Sequence, residues 1–89
     1  MAANPVIRMV TPDKAVWTPL ADESLVVHAK VRIWTVATTT EYLSLRVAGS
    51  SEAAQLPKNT EFMLDGVDLS QIEVQANTNY RVTVIGYTR

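Results

Sequence analysis

The sequence predicts an all-β fold: a single antiparallel β-sandwich or small β-barrel of about seven strands. Three observations carry this. Apolar side chains alternate with period two in at least four segments, turn-forming residues punctuate the gaps, and no amphipathic stretch is long enough for a true helix. The strongest segment is residues 25–34, LVVHAKVRIW. Leu25, Val27, Ala29, Val31 and Ile33 share one face, and Val26, His28, Lys30, Arg32 and Trp34 share the other. Successive strand side chains point to opposite faces, so this pattern predicts a strand with one buried side, about 33 Å long.

The same alternation recurs downstream. Leu43, Leu45 and Val47 alternate with Tyr42, Ser44 and Arg46; Ile72, Val74 and Ala76 alternate with Gln71, Glu73 and Gln75. Tyr80, Val82 and Val84 alternate with Arg81, Thr83 and Ile85. Weaker strands are expected over residues 6–10, 15–20 and 60–64, with Pro5 and Pro19 directing theirs to sheet edges because proline donates nothing to a ladder. Turns are expected at Thr11-Pro12-Asp13-Lys14, Ala48-Gly49-Ser50-Ser51, Pro57-Lys58-Asn59, Asp65-Gly66 and Asn77-Thr78-Asn79. Asp68-Leu69-Ser70-Gln71 reads as one tight turn capped by Asp68. No linker or repeat divides residues 1–89, so one β domain is expected, with residues 1–10 an extended N-terminal arm or an edge strand.

At 89 residues, area scaling predicts about 14,000 Å² exposed unfolded and about 5,000 Å² folded. Apolar burial then stabilises by roughly 130 kcal/mol, and chain ordering costs roughly the same. A balance so close to zero favours self-assembly or docking onto a larger body. The absence of Cys excludes disulfides. The N-terminal residues lack the cationic start and apolar run of a signal peptide, and no segment approaches the ~18 apolar residues of a membrane helix. Eight basic against nine acidic residues give a net charge of −1, which disfavours nucleic acid as a partner.

Little in the sequence promises chemistry. His28 is the single histidine. Ser24 shares its strand face but stands about 13 Å away along an extended chain, so a nucleophile–base pair is not expected there. One His, no Cys and scattered acids do not compose a metal site. Asp65-Gly66-Val67-Asp68 lacks the ligand count of a calcium loop, and three glycines supply no phosphate-cradling loop. The protein is therefore expected to be no enzyme, with no catalytic residue, cofactor or metal. Its outward aromatic and basic side chains are the candidates for contact, and Trp17, Arg32, Trp34, Tyr42, Arg46 and Tyr87 are the expected interface residues. Arg46, Arg81 and Tyr42 would flank Arg32 and Trp34 if neighbouring strands pair. Val26, Ile85, Tyr87, Trp17 and Met63 add apolar surface that a lone sandwich is not expected to bury fully.

The run Gln55-Leu56-Pro57-Lys58-Asn59-Thr60-Glu61-Phe62-Met63-Leu64, followed by Val67-Asp68-Leu69-Ser70-Gln71-Ile72-Glu73-Val74-Gln75-Ala76 and Tyr80-Arg81-Val82-Thr83-Val84, resembles small tailed-bacteriophage virion proteins. The resemblance covers residues 19–84 and lies in apolar spacings. It departs where that group carries more glycine: here Arg46-Val47-Ala48-Gly49 and Pro57-Lys58-Asn59 stand instead. It implies a β-sandwich or barrel of the particle, commonly a capsid decoration (cement) protein and frequently a homotrimer. Its partners would be its own copies and the major capsid protein or another virion protein. It would be made in the host cytoplasm and reside on the capsid surface. The alternatives are a tail, tail-tip or head-fibre component, or a β module whose aromatic and basic strand face binds glycan or single-stranded nucleic acid.

Overall fold

The computed structural model describes residues 3–88. Eight strands run through them: β1 (Asn4–Val10), β2 (Thr18–Pro19), β3 (Val26–Thr35), β4 (Leu43–Val47), β5 (Ala54–Leu56), β6 (Glu61–Asp68), β7 (Ile72–Gln75) and β8 (Tyr80–Thr88). They build two four-stranded antiparallel sheets, ordered β1-β8-β3-β6 and β2-β7-β4-β5. The two sheets share no strand and stack over one core, so the fold is an open β-sandwich rather than a closed barrel. Its accessible surface, 5420 Å², is close to the ~5,000 Å² expected from mass alone.

The alternation read from the sequence sets the core directly. In β3, Val27, Ala29, Val31 and Ile33 are buried while Lys30 and Arg32 are exposed. Tyr80, Val82 and Val84 of β8 complete the first sheet's inner face, and Leu20, Leu43, Val74 and Ala76 meet them from the side of the second sheet. Gly86 stands opposite Ala29 in the β8–β3 ladder. A Cβ at Gly86 would overlap the His28 carbonyl oxygen and the Ala29 Cα, so a side chain is excluded by the approach of the two backbones.

The chain changes sheet at most connections, and each end of the sandwich is tied by one carboxylate. At one end, Asp68 closes β6 and caps a single 3₁₀ turn, Leu69–Gln71, as the sequence predicts. It accepts hydrogen bonds from the Ser24 hydroxyl at 2.6 Å, the Leu25 amide at 2.9 Å, and the Ser70 amide and hydroxyl at 3.0 and 2.8 Å. The crossings from β2 to β3 and from β6 to β7 are thereby joined. At the other end Glu41 accepts from Asn77 Nδ2 at 2.9 Å and from Lys14 Nζ at 3.3 Å. The Glu41 carbonyl accepts from the buried Tyr80 hydroxyl at 2.6 Å.

Two expectations change, one strand is added, and one of two alternatives is decided. Asp65-Gly66 is no turn: β6 runs through it, and the ladder steps from Val27↔Val67 to His28↔Asp65. The extra residue is Gly66, at φ +71°, a bulge that glycine accommodates without steric cost. The expected strand over residues 15–20 shrinks to Thr18–Pro19, since the Asp13 carboxylate takes the Ala15 amide at 2.7 Å and bends the chain before it. Strand β5 carries no alternation and escaped notice. The N-terminal segment is no free arm: residues 4–10 pair with β8 of their own chain as an edge strand, while Met1 and Ala2 lie outside the described residues.

Candidate functional site

The outer face of the first sheet gathers the exposed apolar side chains. Ladder registers place its residues in rows across β1, β8, β3 and β6. Pro5, Tyr87, His28 and Asp65 form one row; Ile7, Ile85, Lys30 and Met63 the next; Met9, Thr83, Arg32 and Glu61 a third. Arg81 and Trp34 follow beyond them. Ile7, Met9, Met63 and Ile85 are 78, 62, 68 and 56% exposed, and Val26 and Tyr87 are also exposed. Ile7, Ile85, Met9 and Tyr87 cluster on β1 and β8, and Met63 stands across Lys30 on β6, a concentration of apolar exposure on one face rather than the scattered exposure that is normal for surfaces.

Polar groups frame these side chains and hold their geometry. The Trp34 indole N–H donates to Thr83 Oγ1 at 2.7 Å, tying the ring to β8. The Lys30 ammonium pairs with Glu61 at 2.8 Å, and Arg32 stands 3.9 Å from the same carboxylate. The Lys30 hydrogen bond and charge, reinforced by Arg32, hold the Glu61 carboxyl below its ordinary value. With Thr83 and Ile85 these three residues line a shallow depression of about 300 Å³. The His28 ring stacks on Tyr87 at 5.3 Å between centroids, and its Nδ1 meets the Asp65 carboxylate.

The six expected interface residues divide between the two outer faces. Arg32, Trp34 and Tyr87 lie on the first sheet's face. Trp17 and Arg46 lie on the second, with Tyr42 just before β4. Arg46 covers the Trp17 ring at 4.1 Å and bonds Glu73 at 2.9 Å. Because β3 and β4 belong to different sheets, Tyr42 and Arg46 do not flank Arg32 and Trp34; of the proposed neighbours only Arg81 does. Val26, Met63, Ile85 and Tyr87 are exposed as expected, and Trp17 is half-buried beneath Arg46. Ile7 and Met9 were missed. In the run Val6-Ile7-Arg8-Met9-Val10 both faces contain apolar residues, so alternation cannot choose the buried one. The structure turns Val6, Arg8 and Val10 inward, where the Arg8 ε N–H donates to the Leu20 carbonyl at 3.1 Å across the sandwich edge.

Among the described residues the His28 ring meets Asp65 and Tyr87, and neither Ser24 nor Thr83 is bonded to it. Ser24 donates its hydroxyl to Asp68, and Thr83 accepts from Trp34. Among the described residues no three His, Asp or Glu side chains gather to hold a metal ion, and no helix is long and apolar enough to cross a membrane. What the face can do is pack against another surface. No protein-family model, curated protein or solved structure matches this chain.

Proposed function

We propose that this protein is a non-enzymatic structural component of a tailed-bacteriophage particle, a capsid decoration protein that stabilises the head by binding at capsomer junctions. The observation that carries the structural role is the concentration of exposed Ile7, Met9, Met63, Ile85 and Tyr87 on an ordered sheet face. Such a surface serves association. The resemblance of residues 19–84 to small virion proteins supports the placement on a particle. Stabilisation is by linkage: a subunit that binds only the assembled shell shifts the equilibrium towards it, and many modest contacts add.

The test is binding to heads of the phage whose genome encodes this chain. The protein should co-sediment with expanded heads at saturating stoichiometry, and electron microscopy should place its density at capsomer junctions. Density confined to the tail, the tail tip or a head fibre would move it to that part of the virion. Failure to associate with any particle would remove the reading. A salt-dependent affinity for oligonucleotides that is lost in Arg32→Ala would replace it with a single-strand-binding module.

A further inference from the structure

We infer that the outer face of the first sheet is a self-association surface, occupied by the same face of a second copy in a two-fold dimer. This goes beyond the virion reading and does not depend on it.

Three observations converge. First, both edges of the first sheet are guarded while its face is not. Edge strand β1 carries Pro5, which has no N–H, as its second residue and turns the charged Arg8 inward. Edge strand β6 carries the Gly66 bulge together with Glu61 and the 86%-exposed Asp65 side chain. Proline, inward charge, bulges and edge acids all block strand addition. Association is thus directed away from the edges and onto the face.

Second, the charges of the face suit its own copy. Lys30, Arg32 and Arg81 stand against Glu61 and Asp65, close to balance, and Glu61 already holds both Lys30 and Arg32. A face so nearly neutral neither repels itself nor attracts a strongly charged partner, whereas phosphate-rich or acidic partners call for a field of one sign. Lys30 lies in the row of Ile7, Ile85 and Met63 and can lay its alkyl stem on these apolar side chains while its ammonium stays with Glu61.

Third, the area is sufficient. Four strands at about 4.8 Å spacing are about 19 Å wide, and the rows from Tyr87 to Arg81 span about 20 Å. With rim side chains the face is roughly 500 Å², so two copies bury about 1,000 Å², the threshold for a specific though weak interface. One patch meeting itself is isologous and closes as a dimer; a three-fold ring would need two different patches. The dimer would leave both second-sheet faces, with Trp17, Tyr42 and Arg46, pointing away from each other.

The test is sedimentation equilibrium from about 1 to about 200 µM, a range that brackets weak interfaces of this size. Wild type should pass from monomer to dimer. Ile85→Lys and, separately, Met63→Glu should remain monomeric throughout, with circular dichroism unchanged because both positions are exposed. Gln55→Lys, on the second sheet, should dimerise like wild type. A monomer at every concentration, a trimer, or a dimer that survives both substitutions would overturn the inference. A dimer with no affinity for phage heads would leave it standing and remove only the virion assignment.

Discussion

Tyr80 and Gly86 show how single atoms are committed in β8. The Tyr80 side chain is fully buried, and its hydroxyl reaches the Glu41 carbonyl at 2.6 Å. Burial, with the nearby Glu41 charge, raises its pKa, so the group stays a neutral donor. Tyr80→Phe keeps the packing and removes the donor, and chemical denaturation should show a loss of about 1 kcal/mol. Gly86 is fixed by proximity rather than by φ. Gly86→Ala forces β8 away from β3, and the same measurement should show a loss of about 1–3 kcal/mol. Gly66 differs again: its Cβ would meet only the His28 ring edge at 3.8 Å. Its constraint is the positive φ, so Gly66→Ala should cost about 1 kcal/mol, with little change in the core.

Among the elements, the sheet-crossing corners hold the sandwich together, and both depend on ionised carboxylates. Asp68 is held far below its ordinary carboxyl value of 3.8 by the Ser24 hydroxyl, the Leu25 amide and the two Ser70 donors. Glu41 is also lowered, first by Asn77 and then by Lys14. A depressed folded-state pKa means that the stabilisation is complete above the unfolded value and is lost as pH falls below it towards the folded value. The protein should therefore keep its stability down to about pH 4 and lose it steeply below. In Asp68→Asn the midpoint of denaturation should be lower at pH 7, and the acid slope shallower than in wild type. An acid slope unchanged by Asp68→Asn would show that this corner does not govern it.

For the whole molecule, a sandwich of 89 residues with an uncovered apolar face is stabilised by association. If the face pairs, dimerisation is linked to folding and the melting temperature must rise with protein concentration. Heating wild type at about 5 and about 200 µM should separate the two curves by a few degrees. Ile85→Lys should melt at one temperature at both concentrations. This readout is independent of mass and of any phage particle.

The fold class, the long central strand, the β8 pattern and the Asp68-capped turn were legible in the sequence because each follows from neighbours within a few residues. Alternation declares a buried face, and an acid two residues before a serine declares a cap. Single, near-featureless segments were not legible: β5 has three residues and no period, and Gly66 has the same composition in a bulge as in a turn. The interface candidates were legible as residue types and not as a surface. Residues 42 and 46 follow the long strand closely, yet the crossing over residues 36–42 carries them to the other sheet. Likewise Ile7 and Met9 are surface because the β1–β8 register turns Val6 and Val10 to the core and Arg8 to the Leu20 carbonyl. Local periodicity sets which side chains share a strand face. Which strands become neighbours, and so which faces join into one surface, is set by long-range pairing that no short window of sequence contains.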